Sequence, residues 1–176
     1  MAWTVNGKFS SQAAFKLLRQ KRHRWKPHRV VWKMQKSRRF SFIMWLALYR
    51  RLFTRDRHFF VTGPKECLFC NSVLESHQHL FFDCEMTNSI WQHLRQWLGI
   101  QRGSTNLQSA VRVLQRNSHR QHPLWRARAL TVAAAVYYLW KARNALLYES
   151  KPLISSSVIV LVQKFVYSAL YYGQEP

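Results

Sequence analysis

The sequence predicts a mainly α protein, in which a small helical domain held together by a metal ion is followed by a C-terminal helical extension. Three observations carry this prediction. Apolar residues recur at helical spacing in several segments. The chain has only five glycines among 176 residues, which disfavours a hairpin-rich all-β fold. All three cysteines fall within one stretch of eighteen residues, together with two histidines. We place the metal-stapled domain at residues 1–100 and the extension at residues 101–176.

The first predicted helix lies in the basic N-terminal part of the chain. Ser10 or Ser11 can cap a helix that runs to about Arg24, since a serine side chain accepts a hydrogen bond from the first free backbone N–H groups. A short link over residues 30–36 follows this helix. We expect Trp32, in that link, to anchor the core because of its large apolar surface.

The second predicted helix spans Arg38–Arg51. Along it, Phe42, Trp45, Leu46 and Tyr49 recur at positions i, i+3, i+4 and i+7, which places them on one face. An apolar stripe of this kind is usually part of a protein core, and we interpret it so. The alternative is an exposed face on which nucleic-acid bases stack.

The remaining helices follow from capping and stop signals. Thr54 can cap a short helix that ends before the chain-breaking Gly63. Thr87 or Asn88 can start the next helix, for which Gly99 is a stop signal. Further helices are predicted over Leu107–Gln115, Leu124–Tyr148 and Val158–Tyr172. The last of these also suits a strand, because it opens with a run of β-branched residues.

The cysteines and one histidine have the spacing Cys-x2-Cys-x8-His-x4-Cys. The residues are Cys67, Cys70, His79 and Cys84. Three thiolates and a neutral imidazole suit one tetrahedral zinc ion, and four protein ligands leave no open position for a reacting water. The sequence therefore predicts a structural Zn²⁺ site, which ties chain segments together and performs no hydrolysis.

Several alternatives remain open at this stretch. Three ordinary buried cysteines beside histidines would look similar, although chance clustering at this spacing is improbable. His77 competes with His79 as the fourth ligand, and the x4 spacing to the last cysteine favours His79. Glu75 and Asp83 each lie four residues from His79, so either is a candidate partner for its second ring nitrogen. A disulfide framework is disfavoured by the odd cysteine count and by the lack of a secretion signal.

Positive charge dominates the composition, with 28 Lys and Arg against seven Asp and Glu. No acidic residue occurs before Asp56, whereas fifteen basic ones do, and a second acid-free run extends from Met86 to Tyr148. Four of the seven acids cluster around the cysteines. A field of this strength indicates a polyanionic partner, and nucleic acid is the leading candidate. The lysines and arginines are not gathered on one amphipathic helix, and no apolar run reaches the length of a membrane span. We therefore expect no membrane partner.

We expect phosphates to be bound by arginines and a lysine on the N-terminal side of the metal site. These nucleic-acid-binding candidates are Arg19, Arg22, Arg24, Lys36, Arg38, Arg39, Arg50 and Arg51. RNA is favoured over DNA, because nothing in the sequence indicates a base-reading surface and backbone or shape recognition suits RNA helices. The expected role is non-catalytic, since the sequence has no Asp-Asp pair, no phosphate-binding glycine loop and few acids for proton transfer.

Four stretches give the chain a specific family resemblance. They are Trp3 with Asn6-Gly7-Lys8-Phe9, Phe40 to Leu48 after Val31-Trp32-Lys33, Arg51-Leu52-Phe53-Thr54-Arg55-Asp56, and the metal motif with Glu75 and Trp91. In these the chain resembles the zinc-binding domain that lies downstream of the polymerase in non-LTR (LINE-type) retrotransposon reverse transcriptases, especially those of plants. Trp140-Lys141-Ala142-Arg143-Asn144 resembles a Trp-x2-Arg-Asn element often found past this domain. Phe53 stands where the family commonly has proline.

The resemblance implies a reverse-transcriptase-type zinc-binding domain without a polymerase domain. We therefore expect a domesticated retroelement-derived protein that binds RNA within a ribonucleoprotein, of which an organellar ribosome is one example. The alternatives are a protein–protein scaffold and a module that binds template RNA or target DNA in trans. We expect an intracellular, non-secreted protein of the nucleus or an organelle such as the mitochondrion, and an Arg-rich N-terminus leaves a cleaved presequence open.

Overall fold

The structure is a computed structural model that describes residues 4–5, 8–9, 29–33, 38–57, 63–101, 103–116 and 123–171. The predicted helix that starts at Ser10 or Ser11 lies outside these residues. Within them the fold is mainly helical, as predicted. None of the described helices is both long enough and apolar enough to cross a bilayer.

The described elements follow in chain order. They are β1 (Thr4–Val5), β2 (Lys8–Phe9), a first π-helical turn (Arg29–Lys33), α1 (Arg38–Leu48), a 3₁₀ turn (Arg55–Arg57), a second π-helical turn (His79–Asp83), α2 (Glu85–Trp97), α3 (Leu107–Arg116), α4 (Pro123–Glu149) and α5 (Ser155–Tyr171). The two short strands pair antiparallel, with Thr4 opposite Phe9.

The longer predicted helices from position 38 onward are confirmed, with small shifts at their ends. Of the short helix predicted after Thr54, the described residues form a 3₁₀ turn over Arg55–Arg57, and residues 58–60 lie outside the described part. Helix α1 ends at Leu48, three residues before the predicted end. Helix α2 begins at Glu85, two residues earlier than predicted, and Gly99 follows it with a positive φ of 62° that favours glycine. Position 158 lies within a helix, so the alternative of a strand there is wrong.

The main core joins the metal-binding segment to the helices around it. Its buried members come from all five α-helices, from the second π-helical turn and from the loops that carry Leu52, Cys67 and Cys84. Leu80 and Phe81 enter it from the π-helical turn, and Val162 enters it from α5. The core therefore includes elements on both sides of residue 100, while the predicted domain boundary at that position stays a prediction.

A second, smaller core lies on another side of α4. It contains Ala129 and Ala133 of α4, together with Val30, Val31 and Met44 from the N-terminal side. Because α4 contributes to both cores, it is apolar around much of its circumference, as expected of a central helix. Its seven alanines allow neighbouring backbones to approach closely.

The expectation that Trp32 anchors the core is wrong. Val30 and Val31 are fully buried, whereas 45% of the Trp32 side chain is exposed. The π-helical turn directs the two consecutive valines inward, and Trp32 comes next on the outer side. The sequence predicted the correct segment and the wrong side chain.

The core face of α1 is also different from the predicted one. The buried residues are Phe40, Ser41, Met44 and Ala47, whereas Phe42 is 50% exposed. Phe40 is buried because its ring packs on the ring of Phe165, with centroids 4.1 Å apart and planes 12° apart. Helix α1 thus carries two apolar stripes, and packing against α4 and α5 selects the one that contains Phe40.

Candidate metal centre

The first two cysteines lie in a hairpin-like knuckle over residues 65–75. The backbone N–H of Cys67 donates to the carbonyl of Val73, at 2.7 Å, and the N–H of Asn71 donates back to Cys67, at 2.8 Å. Asn71 has a positive φ of 52°, a conformation that asparagine tolerates better than most residues. This tight turn places the side chains of Cys67 and Cys70 on the same side of the knuckle.

The other two candidate metal ligands, His79 and Cys84, lie in the segment that follows the knuckle. His79 begins the second π-helical turn, and its backbone N–H is capped by the hydroxyl of Ser76, at 3.1 Å. Cys84 closes this turn by donating its N–H to the carbonyl of His79, at 2.8 Å, and it is also the residue that precedes α2. The indole N–H of Trp91, from α2, donates to the carbonyl of Phe81 and holds the turn against that helix.

The four side chains converge on one point. The ligand atoms of Cys67, Cys70, His79 and Cys84 all lie within 4.8 Å of one another. The Cys70 Sγ lies 3.3 Å from the His79 Nε2. Tetrahedral zinc with ordinary bond lengths would separate such atoms by roughly 3.6–3.8 Å. The donor set and its spacing therefore fit one metal ion with four protein ligands, and thiolate-rich sets of this kind favour zinc.

Two of the thiols at this site shift each other's pKa in opposite directions. A hydrogen bond to Cys84, together with burial, raises the pKa of the Cys67 thiol. The same hydrogen bond lowers the pKa of Cys84. Because a metal ion binds the thiolate form, its binding would displace the thiol protons.

His77 has a different environment from His79. It is buried, and its Nδ1 lies 3.2 Å from the hydroxyl oxygen of Thr54. The hydroxyl of Thr54 donates to Asp56, so the Nδ1–H of His77 donates to Thr54. Burial lowers the pKa of His77 to about 4, and the ring is therefore neutral at physiological pH. The geometry favours His79 as the fourth ligand and places His77 in the packing of the Thr54 segment.

Glu75 does not hold the second nitrogen of His79, contrary to one of the two expectations. It is fully buried, and one of its carboxylate oxygens accepts the backbone N–H of Arg55, at 3.0 Å. The same oxygen accepts the Nη2 of Arg143, at 2.7 Å. Asp83, the other candidate, accepts a hydrogen bond from Gln78 at 2.9 Å. Both carboxylates are therefore engaged elsewhere.

The ion pair between Glu75 and Arg143 was missed by the sequence reasoning. Arg143 lies on α4, is 2% exposed, and packs on the ring of Trp140 with 5.1 Å between guanidinium and ring centre. Its Nη1 donates to the side chain of Asn144, at 3.2 Å. The Trp-x2-Arg-Asn element thus converges on the carboxylate of the metal-binding segment. Both residues occurred in the recognised motifs, but nothing in the sequence paired positions 68 residues apart.

The predicted nucleic-acid-binding residues fall into two groups. Arg38, Arg39, Arg50 and Arg51 are described and exposed, and they lie just inside the start of α1 and just after its end. Arg19, Arg22, Arg24 and Lys36 lie outside the described residues. The four described arginines therefore form two pairs at opposite ends of one helix.

Replacing each of the two histidines by alanine tests which one is the fourth metal ligand. We expect His79→Ala to weaken zinc binding by about 100-fold or more, because a ligand matters at least as much as the groups that orient it. His77→Ala should retain one zinc per chain, although it removes buried contacts. Competition with a chromogenic chelator measures both affinities. If His77→Ala lost its zinc and His79→Ala kept it, His77 and not His79 would be the fourth ligand.

The comparisons with known proteins agree with this geometry. Residues 9–91 match the family model described as "zinc-binding in reverse transcriptase". No curated protein and no solved structure matches the chain. The matched residues include all four converging side chains and end at Trp91, whose indole holds the metal-binding turn. Residues 9–91 of this chain are therefore similar to the zinc-binding domain of reverse transcriptases.

Proposed function

We propose that the protein is a non-catalytic, zinc-stabilised RNA-binding protein, a domesticated retroelement-derived component of a ribonucleoprotein. An organellar ribosome is a particle of the expected kind. Zinc would be held by Cys67, Cys70, His79 and Cys84, where it supplies cross-linking between chain segments and no reactive position. The exposed arginines at the two ends of α1 would contact phosphates.

The observation that carries this proposal is the shortage of carboxylate partners for the cations. Among the described residues, two carboxylate–cation pairs form: Glu75 with Arg143, and Glu149 with Lys151. The arginines around α1 take no part in either pair and are exposed. A chain with a formal charge of +21 carries a large self-repulsion, which a polyanion would relieve.

The scaffold alternative loses part of its proposed surface. A scaffold would use two aromatic-rich segments as its partner surface, residues 134–140 and residues 166–172. The first contributes four of its seven residues to the buried core. These residues are Ala134, Ala135, Val136 and Leu139. The other segment, at the end of α5, keeps Tyr167 and Tyr171 exposed at 61% and 84%. A partner surface built on both helices together is thus disfavoured, and RNA binding remains the better account of the charge.

Removing one arginine pair should weaken RNA binding in a salt-dependent way. We expect the double variant Arg38→Ala, Arg39→Ala to bind RNA more weakly at low salt than the unchanged protein. The slope of log affinity against log salt should become shallower by about 1 to 2, because each lost phosphate contact reduces the slope by roughly 0.7–0.9. Fluorescence anisotropy with a labelled RNA between about 50 and 300 mM salt measures both quantities.

The control for this experiment is a pair of cations outside α1. Lys151→Ala, Lys164→Ala removes the same charge from exposed positions in and before α5. An equal change of slope in this control would show that net charge alone governs binding and would remove α1 from the proposed surface. An affinity of the unchanged protein that does not respond to salt would contradict phosphate binding altogether.

A further inference from the structure

Three aromatic rings form a row along the outer face of α1. Phe42 and Trp45 lie on α1, and Tyr49 directly follows its last residue; we call these three residues the aromatic row. The ring centroids of Phe42 and Trp45 lie 6.0 Å apart with planes 27° apart, and those of Trp45 and Tyr49 lie 5.5 Å apart at 57°. Phe42 is 50% exposed and Trp45 is partly buried against the second core. The second core therefore supports the row at Trp45, while the Phe42 ring is accessible to a ligand.

An arginine side chain lies against the C-terminal end of the row. The guanidinium carbon of Arg51 is 5.4 Å from the centre of the Trp45 ring and 5.6 Å from that of Tyr49. At these distances the cation is attracted to the ring faces, and the planar guanidinium can itself stack. Arg51 thus joins the aromatic row to the exposed arginine pair that follows α1.

The composition of this face indicates what binds there. Arg38 and Arg39 are exposed at one end of the row, and Arg50 and Arg51 at the other. An apolar protein partner would have to desolvate these four charges, which is costly without matching carboxylates. A polyanion that also presents flat π-faces satisfies both the arginines and the rings. Single-stranded nucleic acid has this chemistry, because its bases are free to stack on aromatic side chains.

We propose that the aromatic row, with Arg51, is a stacking surface for unpaired RNA bases, flanked by two arginine pairs that hold the adjoining phosphates. This inference rests on the proposed RNA-binding function and specifies the form of RNA that α1 accepts. Duplex RNA offers phosphates but keeps its bases stacked on one another, so it can use the arginines and not the rings. The protein should therefore prefer single-stranded over duplex RNA.

The test compares three labelled RNAs of equal length by fluorescence anisotropy. They are a single strand, a duplex, and a single strand whose nucleotides lack bases. Phe42→Leu removes the π-face and keeps an apolar side chain at a half-exposed position, so folding should be preserved. Arg51→Lys keeps the charge and removes the planar group. Tyr148→Leu is the matched control, because Tyr148 is 77% exposed at the far end of α4.

We expect Phe42→Leu to lower affinity for the single strand by about 5- to 150-fold, the range found when a stacking ring is removed. Its affinity for the duplex and for the abasic strand should change by less than about twofold, since phosphate contacts are retained. Arg51→Lys should show the same selectivity with a smaller loss. Tyr148→Leu should bind all three RNAs as the unchanged protein does.

The outcomes separate this inference from the proposed function. If the unchanged protein binds RNA but Phe42→Leu loses nothing, or loses equally on the single strand and the abasic strand, the stacking surface is refuted and RNA binding stands. If the unchanged protein binds none of the three RNAs, the proposed function fails. A single-stranded DNA of the same sequence that binds more tightly than the RNA would overturn the assignment of RNA as the ligand.

Discussion

Cys70→Ser should release the metal and unfold the segment between the knuckle and α2. The Cys70 Sγ lies 3.3 Å from the His79 Nε2, and its loss leaves three ligands that cannot close a tetrahedral site. The effect should spread, because Cys67 and Cys84 are fully buried members of the main core. Structural zinc contributes about 10–16 kcal/mol of apparent binding free energy in small domains, and that binding is folding free energy.

The expected result is a protein with less than one-tenth of the zinc of the unchanged chain and a thermal midpoint lower by about 10 °C or more. Elemental analysis after gel filtration measures the zinc, and far-ultraviolet circular dichroism measures the midpoint. Val73→Ser is the matched control, since it also introduces a serine into the knuckle but at a side chain that is 52% exposed. Equal zinc content and equal midpoints in Cys70→Ser and the unchanged protein would refute the metal site.

Arg143→Met is expected to have the second-largest effect. It leaves the Glu75 carboxylate fully buried and without its cation. Breaking one side of a buried pair of this kind costs about 3–5 kcal/mol. Glu75 also accepts backbone N–H groups from the Arg55 segment and from Leu68 in the knuckle, so its displacement would disturb both. The free energy of unfolding in urea measures the loss.

A double-mutant cycle separates the ion pair from the rest of this network. Glu75→Gln removes the charge and keeps an oxygen that can accept from Arg55. The double variant Arg143→Met, Glu75→Gln should be more stable than the sum of the single changes predicts, since no unpaired charge is left buried. Lys151→Met, which breaks the exposed pair with Glu149, should leave stability unchanged. An Arg143→Met variant that loses less than about 1 kcal/mol would show that the pair does not couple α4 to the metal-binding segment.

The metal ligands could be predicted from the sequence because they depend on local spacing. Two cysteines three positions apart reach one ion through a single turn, and His79 and Cys84 lie at the two ends of one short π-helical turn. The stop signal at Gly99 and the apolar periodicity of α3 are equally local features of the sequence. In these cases the structure is decided by neighbours within a few residues.

The face of α1 that enters the core could not be predicted in the same way. Phe40, Met44 and Ala47 recur at i, i+4 and i+7, whereas the residues of the aromatic row recur at i, i+3 and i+7. Both stripes satisfy the helical period, and the more aromatic one is the stripe that the sequence predicts to face the core. The stripe with Phe40 is buried because its ring stacks on that of Phe165 in α5, which lies 125 positions away in the sequence. The pairing of Glu75 with Arg143 has the same non-local cause.

We propose that zinc organises a fold whose exposed arginines and rings bind RNA. The most direct test is ultraviolet crosslinking of the tagged full-length protein in cells, followed by denaturing purification and sequencing of the attached nucleic acid. We predict a reproducible set of RNA crosslinks that is strongly reduced for Cys70→Ser and for the Arg38→Ala, Arg39→Ala variant at equal protein levels. No RNA above an untagged background, or attached nucleic acid that is entirely DNA, would contradict the account.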